Sequence, residues 1–168
     1  DNVALILGDN FFYGQSLTEK LKKSLNHNFG AKIFLKEVKK PENYGVAKIS
    51  KNKISKILEK PKRFISKYAI TGLYFFDKDV HQLSKTLKPS NRGELEITDL
   101  LKIYQKEKNL TYELIGRGAI WSDAGKIDDL LNVSNYVESV EKVQDVKIAC
   151  LEEISLLKGW IDKKTILK

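Results

Sequence analysis

The sequence predicts an α/β fold in which apolar strands alternate with amphipathic helices and one antiparallel hairpin is inserted. Three observations carry this. Residues 3–7 and 68–76 are almost wholly apolar runs, the pattern of strands covered on both faces. Leu17, Leu21 and Leu25 recur every four residues and so share one helical face, and they lie between two strand-like stretches. Ile97, Leu100, Leu101 and Tyr104 repeat such a face later in the chain.

The elements follow in order. The first strand, Val3-Ala4-Leu5-Ile6-Leu7, stops at Gly8-Asp9-Asn10, and Phe11 to Gly14 reads as an aromatic loop. Ser16 and Glu19 have the spacing of a capping box and open the first helix, which Gly30 closes. Residues 31–38, rich in Ile, Phe, Leu and Val, form the next strand and complete a strand–helix–strand unit. Residues 44–49 and 54–60 flank a turn at Asn52 and predict a hairpin that Pro61 ends. After the strand at 68–76 come a short helix at 79–87, a helix from Ile97 towards Asn109 and a strand at 111–117. Residues 119–125 read as a turn-bearing segment, 126–142 as a long helix, and 151–158 as a short helix stopped by Gly159, with Asp162 capping one more. The 168 residues suffice for a single domain with a real core.

Composition narrows the function. Hydrophobic content of 42% and charged content of 31% are those of a globular chain, and no apolar run is long enough to span a bilayer. No charged-then-apolar leader is visible, so a cytoplasmic location and no membrane partner are expected. One cysteine, Cys150, excludes an internal disulfide and a multi-cysteine zinc site. The net charge of +8 suits a phosphorylated small substrate as well as a polyanion, but no RNA-binding motif, zinc finger or arginine-rich arm accompanies it, and no nucleic-acid partner is expected. His27 and His81 have no Ser, Cys or metal-ligand neighbour and receive no chemistry.

Several residues stand out from the helical surface charge. Asp9 follows a strand, where open α/β sheets bind ligands, and is otherwise a polar turn or cap residue. Asp123, beside Trp121 and Gly125, is a second isolated carboxylate, and two such aspartates meeting across a sheet end suit Mg²⁺. Glu59 and Lys60 before Pro61 either hold sugar hydroxyls and phosphate or form a solvated charge pair. Arg92 is either a bidentate phosphate contact or an exposed loop arginine. Gly45 and Gly72 either let a sugar lie against backbone or are turn and bulge glycines.

Taken together, Leu7-Gly8-Asp9-Asn10-Phe11-Phe12-Tyr13-Gly14, Tyr44-Gly45-Val46, Glu59-Lys60-Pro61, Tyr68 to Tyr74, Arg92-Gly93-Glu94-Leu95-Glu96-Ile97-Thr98-Asp99 and Trp121-Ser122-Asp123-Ala124-Gly125 occur in the order found in sugar-phosphate nucleotidyltransferases. Cys150-Leu151-Glu152-Glu153-Ile154 and Lys158-Gly159-Trp160-Ile161-Asp162 resemble the same family's C-terminal region, so the resemblance covers nearly the whole chain. The Arg92–Asp99 block is its most specific part.

The resemblance implies a mixed, mostly parallel sheet with helices on both faces, incomplete at its N-terminus. It implies thymidylyl transfer from dTTP to glucose 1-phosphate, giving dTDP-glucose for a deoxysugar pathway such as that of dTDP-rhamnose. By the family pattern Asp9 and Asp123 hold Mg²⁺ and, with Lys60, form the catalytic set. Asn10, Tyr44, Gly45, Glu59 and Ile70 contact the sugar, Lys60 and Arg92 its phosphate, and Trp121 walls the pocket. The family habit is a homotetramer with a second nucleotide site near an interface.

Two local departures are Ala124, where the family usually has Thr, and Ser122, where an apolar residue is common. The glycine-rich nucleotide loop of the family is absent, and the chain contains no methionine. The expectation is therefore a piece of a longer enzyme that carries the sugar half, is inactive alone and exposes one sheet edge. The alternative is a non-catalytic sugar-nucleotide-binding or assembly module.

Overall fold

The computed structural model describes residues 1–26, 29–107 and 109–166, so His27 lies outside the described residues. The chain resolves into two compact units, Asp1–Asp123 and Ala124–Lys168. The first contains β1 (Val3–Ile6), β2 (Asn10–Gly14), α1 (Leu17–Leu25), β3 (Ala31–Glu37), β4 (Val46–Ser50), β5 (Lys53–Leu58), β6 (Tyr68–Phe76), α2 (Val80–Ser84), α3 (Ile97–Lys106), β7 (Leu110–Ile115) and β8 (Ala119–Asp123). The second contains α4 (Ile127–Gln144), α5 (Leu151–Leu157) and α6 (Lys163–Ile166).

The first unit is built around β6. Its apolar residues from Ala69 to Phe76, with Gly72 among them, are buried, as expected of a strand covered on both faces. One edge of β6 pairs with β3, and the other is shared by β4 near its start and β1 near its end. The sheet order is β5-β4-β6-β3-β7, with β1 beside β6, and β2 and β8 form a separate two-stranded ribbon.

The α/β class, the mixed sheet and helices on both faces are as expected. The parallel majority needs correcting. β1, β3, β4 and β7 run the same way, but β6 runs against three of them from the middle of the sheet, and β3–β7 is the one parallel pairing among the described residues. The strand–helix–strand unit of β1, α1 and β3 is thus split by β6.

The two faces of β6 and β3 pack differently. On one, Ile33, Leu35, Ile70, Tyr74 and Phe76 meet Leu100, Leu101 and Tyr104 of α3 and Val80 of α2. On the other, Phe34, Leu73 and Phe75 meet Leu21 of α1 and Phe12 and Trp121 of the ribbon. Alternation along each strand assigns the side chains to these faces. The β4–β5 turn has Lys51 and Asn52 at φ 48° and 57°, the left-handed pair that a tight hairpin requires.

Other local expectations change. The run at 3–7 is not buried on both faces: Ile6 is 57% exposed, because β1 pairs with β6 on one side only. Residues 11–14 and 119–123 are strands rather than loop and turn, since each satisfies the other's backbone in the ribbon. Ser16 makes no capping bond, because at φ 62° it lies outside the extended conformation of a capping residue.

In the second unit α5 ends as expected at Gly159. The Gly159 N–H donates to Leu156 O (3.0 Å) and the Trp160 N–H to Ser155 O (2.9 Å), the paired bonds of a glycine-terminated helix. Asp162 caps α6 by accepting from the Thr165 N–H at 2.8 Å.

Asp77, almost fully buried at the end of β6, accepts from the N–H groups of Gly30 (2.6 Å) and Asp79 (3.1 Å) and from the Tyr104 hydroxyl (2.9 Å). It joins the β6 end to the start of β3 and to α3. Burial, then the Asp77 carboxylate, pushes the Tyr104 hydroxyl pKa well up, so it remains a donor. Replacing Tyr104 with Phe is expected to cost about 1 kcal/mol, and Asp77→Ala, which orphans three donors, about 3 kcal/mol. Urea denaturation of both variants checks the order.

Candidate functional site

The ribbon register places Asn10 opposite Asp123 and Phe12 opposite Trp121. Asn10 is the junction between ribbon and sheet. Its Oδ1 accepts from the Gly72 N–H of β6 at 2.9 Å and from the Trp121 indole Nε1–H at 2.6 Å. Its Nδ2 donates to Asp9 Oδ1 at 2.8 Å. Three partners of fixed polarity leave the amide one orientation.

This arrangement explains Gly72. A Cβ there would stand 2.6 Å from the Asn10 side chain. The close approach read from a glycine inside a strand is real, but what approaches is Asn10 from the same chain. The strand is irregular here: the register with β3 shifts between Ile33 and Leu35, and Thr71 Oγ1 donates to Phe34 O at 2.9 Å.

Asp9 directly precedes Asn10, so it sits in the turn that enters β2, one residue out of register with Asp123 at the same end of the ribbon. The donors brought together are oxygens, and among the described residues no group of three or more His, Cys, Asp or Glu gathers at one point. Two carboxylates are the donor type that a hard divalent cation such as Mg²⁺ takes.

Beside them is a pocket of about 200 Å³ within the first unit. It is lined by Gly72 and by eight of the ten residues expected to bind substrate or metal or to catalyse: Asn10, Tyr44, Gly45, Glu59, Lys60, Ile70, Trp121 and Asp123. Asp9 is exposed and Arg92 stands off the lining. A larger groove of about 800 Å³, along β5 and β7, contains none of the ten.

The hairpin ends supply one wall. The Ile70 N–H donates to Gly45 O (2.7 Å) and the Lys60 N–H to Tyr44 O (3.1 Å), so residues 44–45 are held against both β6 and the end of β5. A Cβ on Gly45 would come 2.9 Å from Thr98 Cγ2 and 3.1 Å from Glu59 Oε2, so glycine keeps this corner open. The Tyr44 and Trp121 rings meet with centroids 5.0 Å apart at 59°. Lys60 sits at φ 37°, a left-handed conformation that costs a non-glycine residue about 1 kcal/mol and is common at functional sites.

The floor is electrostatically loaded. Burial, reinforced by the charge of Glu96, raises the Glu59 pKa, while Thr98, Lys60 and Arg92 pull it back. Arg92 is engaged by carboxylates: 2.9 Å to Glu94, 3.5 Å to Glu96 and 3.9 Å to Glu59. The Thr98 hydroxyl is buried and lines the pocket without a hydrogen bond of good geometry, although it lies close enough to Glu59 to favour the ionised form. Sequence reasoning passed over Thr98 and Glu96, although both lie inside the specific Arg92–Asp99 block.

The family profile described as "Nucleotidyl transferase" matches residues 1–140. The chain belongs to the nucleotidyl transferase family. This member is 44% identical over 167 residues to the glucose-1-phosphate thymidylyltransferase of Neisseria meningitidis, covering 99% of this chain and 58% of that protein. To the enzyme of the same name from Mycobacterium tuberculosis it is 40% identical over 169 residues, covering 100% and 58%. A Bacillus anthracis protein provisionally assigned that name, solved with sucrose, superposes with a TM-score of 0.71 at 42% identity, over 81% of this chain and 54% of that one. A UDP-glucose pyrophosphorylase bound to UDP-glucose superposes with a TM-score of 0.70 at 21% identity, over 83% and 56%, and shows the shared fold. The chain thus spans somewhat over half the length of the curated relatives it matches.

The raised Glu59 pKa makes a signed prediction for this family member. Below the carboxylate range Glu59 is protonated in folded and unfolded chains alike and costs nothing. As pH rises from its unfolded value towards the raised folded value, the unfolded chain loses the proton first, so stability falls. Glu59→Gln is expected to melt higher than wild type at pH 7.5, with the gap closing towards pH 4. A melting series from pH 4 to 8 measures it, and a constant gap contradicts it.

Proposed function

We propose that this chain supplies the sugar 1-phosphate side of a thymidylyltransferase reaction. A phosphate oxygen of glucose 1-phosphate attacks the α-phosphorus of dTTP, the bond to the bridging β-phosphate oxygen breaks, and dTDP-glucose and pyrophosphate result. The observation that carries this reading is the convergence of seven substrate-side residues and Asp123, from β2, the ends of the β4–β5 hairpin, β6 and β8, on one small pocket. Its volume of about 200 Å³ is below the ~300–1,000 Å³ typical of drug-sized ligands and suits a sugar better than a nucleotide.

Glu59 and the backbone of Gly45 and Ile70 face the sugar hydroxyls, with Asn10 and Tyr44 completing that wall. Lys60, and Arg92 on release from its carboxylates, hold the sugar phosphate, and Trp121 closes the side. Asp9 and Asp123 would hold Mg²⁺, which, when bound, offsets negative charge on phosphate oxygens. The protein's remaining task is to bring nucleophile and phosphorus into line.

The reading extends to the whole chain. Residues 1–168 are the sugar-binding and C-terminal helical part of one domain, whose nucleotide-binding part is not among them. The intact enzyme is a cytoplasmic homotetramer of a dTDP-deoxysugar pathway, and this stretch alone does not turn over. The partial span of the relatives keeps a non-catalytic sugar-nucleotide module as the second reading.

Calorimetric titration of the 168-residue chain with glucose 1-phosphate, with and without Mg²⁺, tests the proposal beside dTTP titration and a pyrophosphorolysis assay on dTDP-glucose. Glucose 1-phosphate is expected to bind, dTTP at least tenfold more weakly, and no turnover to occur. Turnover comparable to an intact relative would overturn the inactivity, and no sugar-phosphate binding would overturn the site.

A further inference from the structure

The ribbon that carries Trp121 and Asp123 is not part of the six-stranded sheet, so something must set its position. Asn10 does this at the Asp123 end. At the other end, Gly116-Arg117-Gly118 links β7 to β8. A Cβ at either glycine would meet nothing within 4 Å, and besides the close approach of Gly14 the link has two long backbone hydrogen bonds, Gln15 N–H to Gly118 O (3.3 Å) and Ala119 N–H to Gly116 O (3.4 Å). Two glycines in three residues also give it wide backbone freedom.

Lys36 holds it. This side chain leaves β3 opposite Ile115, the last residue of β7. Its ammonium donates to Gly116 O at 2.8 Å and to Ala119 O at 2.7 Å, bridging the two ends of the link. Desolvation lowers the Lys36 pKa, with the Glu37 charge opposing, so the ammonium has given up part of its water for these two carbonyls. Ammonium–carbonyl bonds are charge-assisted and stronger than neutral ones.

We propose that Lys36 is a positioning residue for the Trp121–Asp123 segment, fixing where β8 begins and hence which residue stands opposite Asn10. From Ala119 to Asp123 is four residues, about 13 Å along a strand, so the staple acts through β8 and not on a ligand. The consequence of losing it is specific. Side chains alternate along a strand, so a slip of one residue puts Ser122 or Ala124 where Asp123 should be. As far as Asp123 is a metal ligand, the inference rests on the proposed function, but the register itself does not.

The test compares wild type with Lys36→Met and Lys36→Arg in the 168-residue chain. The ¹⁵N spectrum contains two indole N–H signals, from Trp121 and from Trp160 in the second unit, so Trp160 serves as internal control. Lys36→Met is expected to shift the Trp121 indole signal and leave that of Trp160 in place, while Lys36→Arg, which can still donate to both carbonyls, restores the wild-type position. Mn²⁺ affinity, read by electron paramagnetic resonance, is expected to fall about tenfold in Lys36→Met and recover in Lys36→Arg, the scale seen when groups that orient metal ligands are removed. Unchanged Trp121 signal and Mn²⁺ affinity in a folded Lys36→Met chain would overturn the proposal. Should that variant not fold, Lys36→Gln, which retains one donor, carries the same comparison. Wild type that binds no Mn²⁺ would remove the metal reading, and the indole comparison would still decide the role of Lys36.

Discussion

The site depends on one amide. Asn10 Oδ1 takes hydrogen bonds from a backbone N–H of the buried central strand and from the indole of Trp121, so a single acceptor binds β2, β6 and β8 together. Its Nδ2 contacts Asp9, and its backbone is paired with Asp123. An aspartate here would place a charge against two donors but lose the donor to Asp9 and repel it. An aliphatic residue would leave the Gly72 N–H and the indole N–H without their acceptor, each at a cost of about 1–3 kcal/mol if water does not replace it. Gly72 belongs to the same device, since only the absence of a Cβ lets the amide reach the β6 backbone.

Around this junction the pocket gathers charge that the protein does not fully neutralise. Glu59 and Glu96 face the same space, and burial already disfavours ionisation of Glu59. Arg92 balances them while also contacting the outer Glu94. The planar guanidinium fork suits carboxylate partners of this kind.

The sequence made the strands and helices of the first unit legible where periodicity was strong, as in β6, α3 and the β4–β5 hairpin with its left-handed turn pair. It was silent on pairing partners. Residues 11–14 and 119–123 looked like loops because each is short and framed by glycines, and their strand character arises only from meeting one another over a separation of more than a hundred residues. The same blindness hid the direction of β6. A run of nine mostly apolar residues says that both faces are covered, but nothing in it says which way the strand runs between its neighbours. Of the site, residue types with a chemical reason to stand out were legible, such as Asp9, Glu59, Lys60 and Asp123. Thr98 was not, because a threonine inside a helical pattern carries no sign that its hydroxyl will be buried without a hydrogen bond. Lys36 was not either, because one lysine in a chain with 30 Lys+Arg looks like surface until its ammonium is found on two carbonyls.

The exposed strand β1 and the buried strand β6 make unequal contributions to the loop that leads into the site. β1 leaves Leu5, Ile6 and Leu7 substantially exposed, so its outer side adds little to the rigidity of that loop. The loop is nonetheless fixed at both ends to a single residue. The Leu7 N–H donates to Gly72 O at 2.9 Å, and the Gly72 N–H donates to Asn10 Oδ1 at 2.9 Å. Between them the Asn10 N–H closes a tight turn on Leu7 O at 3.1 Å. Asp9 thus sits on a turn held at both ends by the backbone of Gly72, whose own strand is packed on both faces. Its position is set by the best-buried strand of the unit, which is why a carboxylate beside a half-exposed strand can still have a defined place next to the Asn10–Asp123 pair.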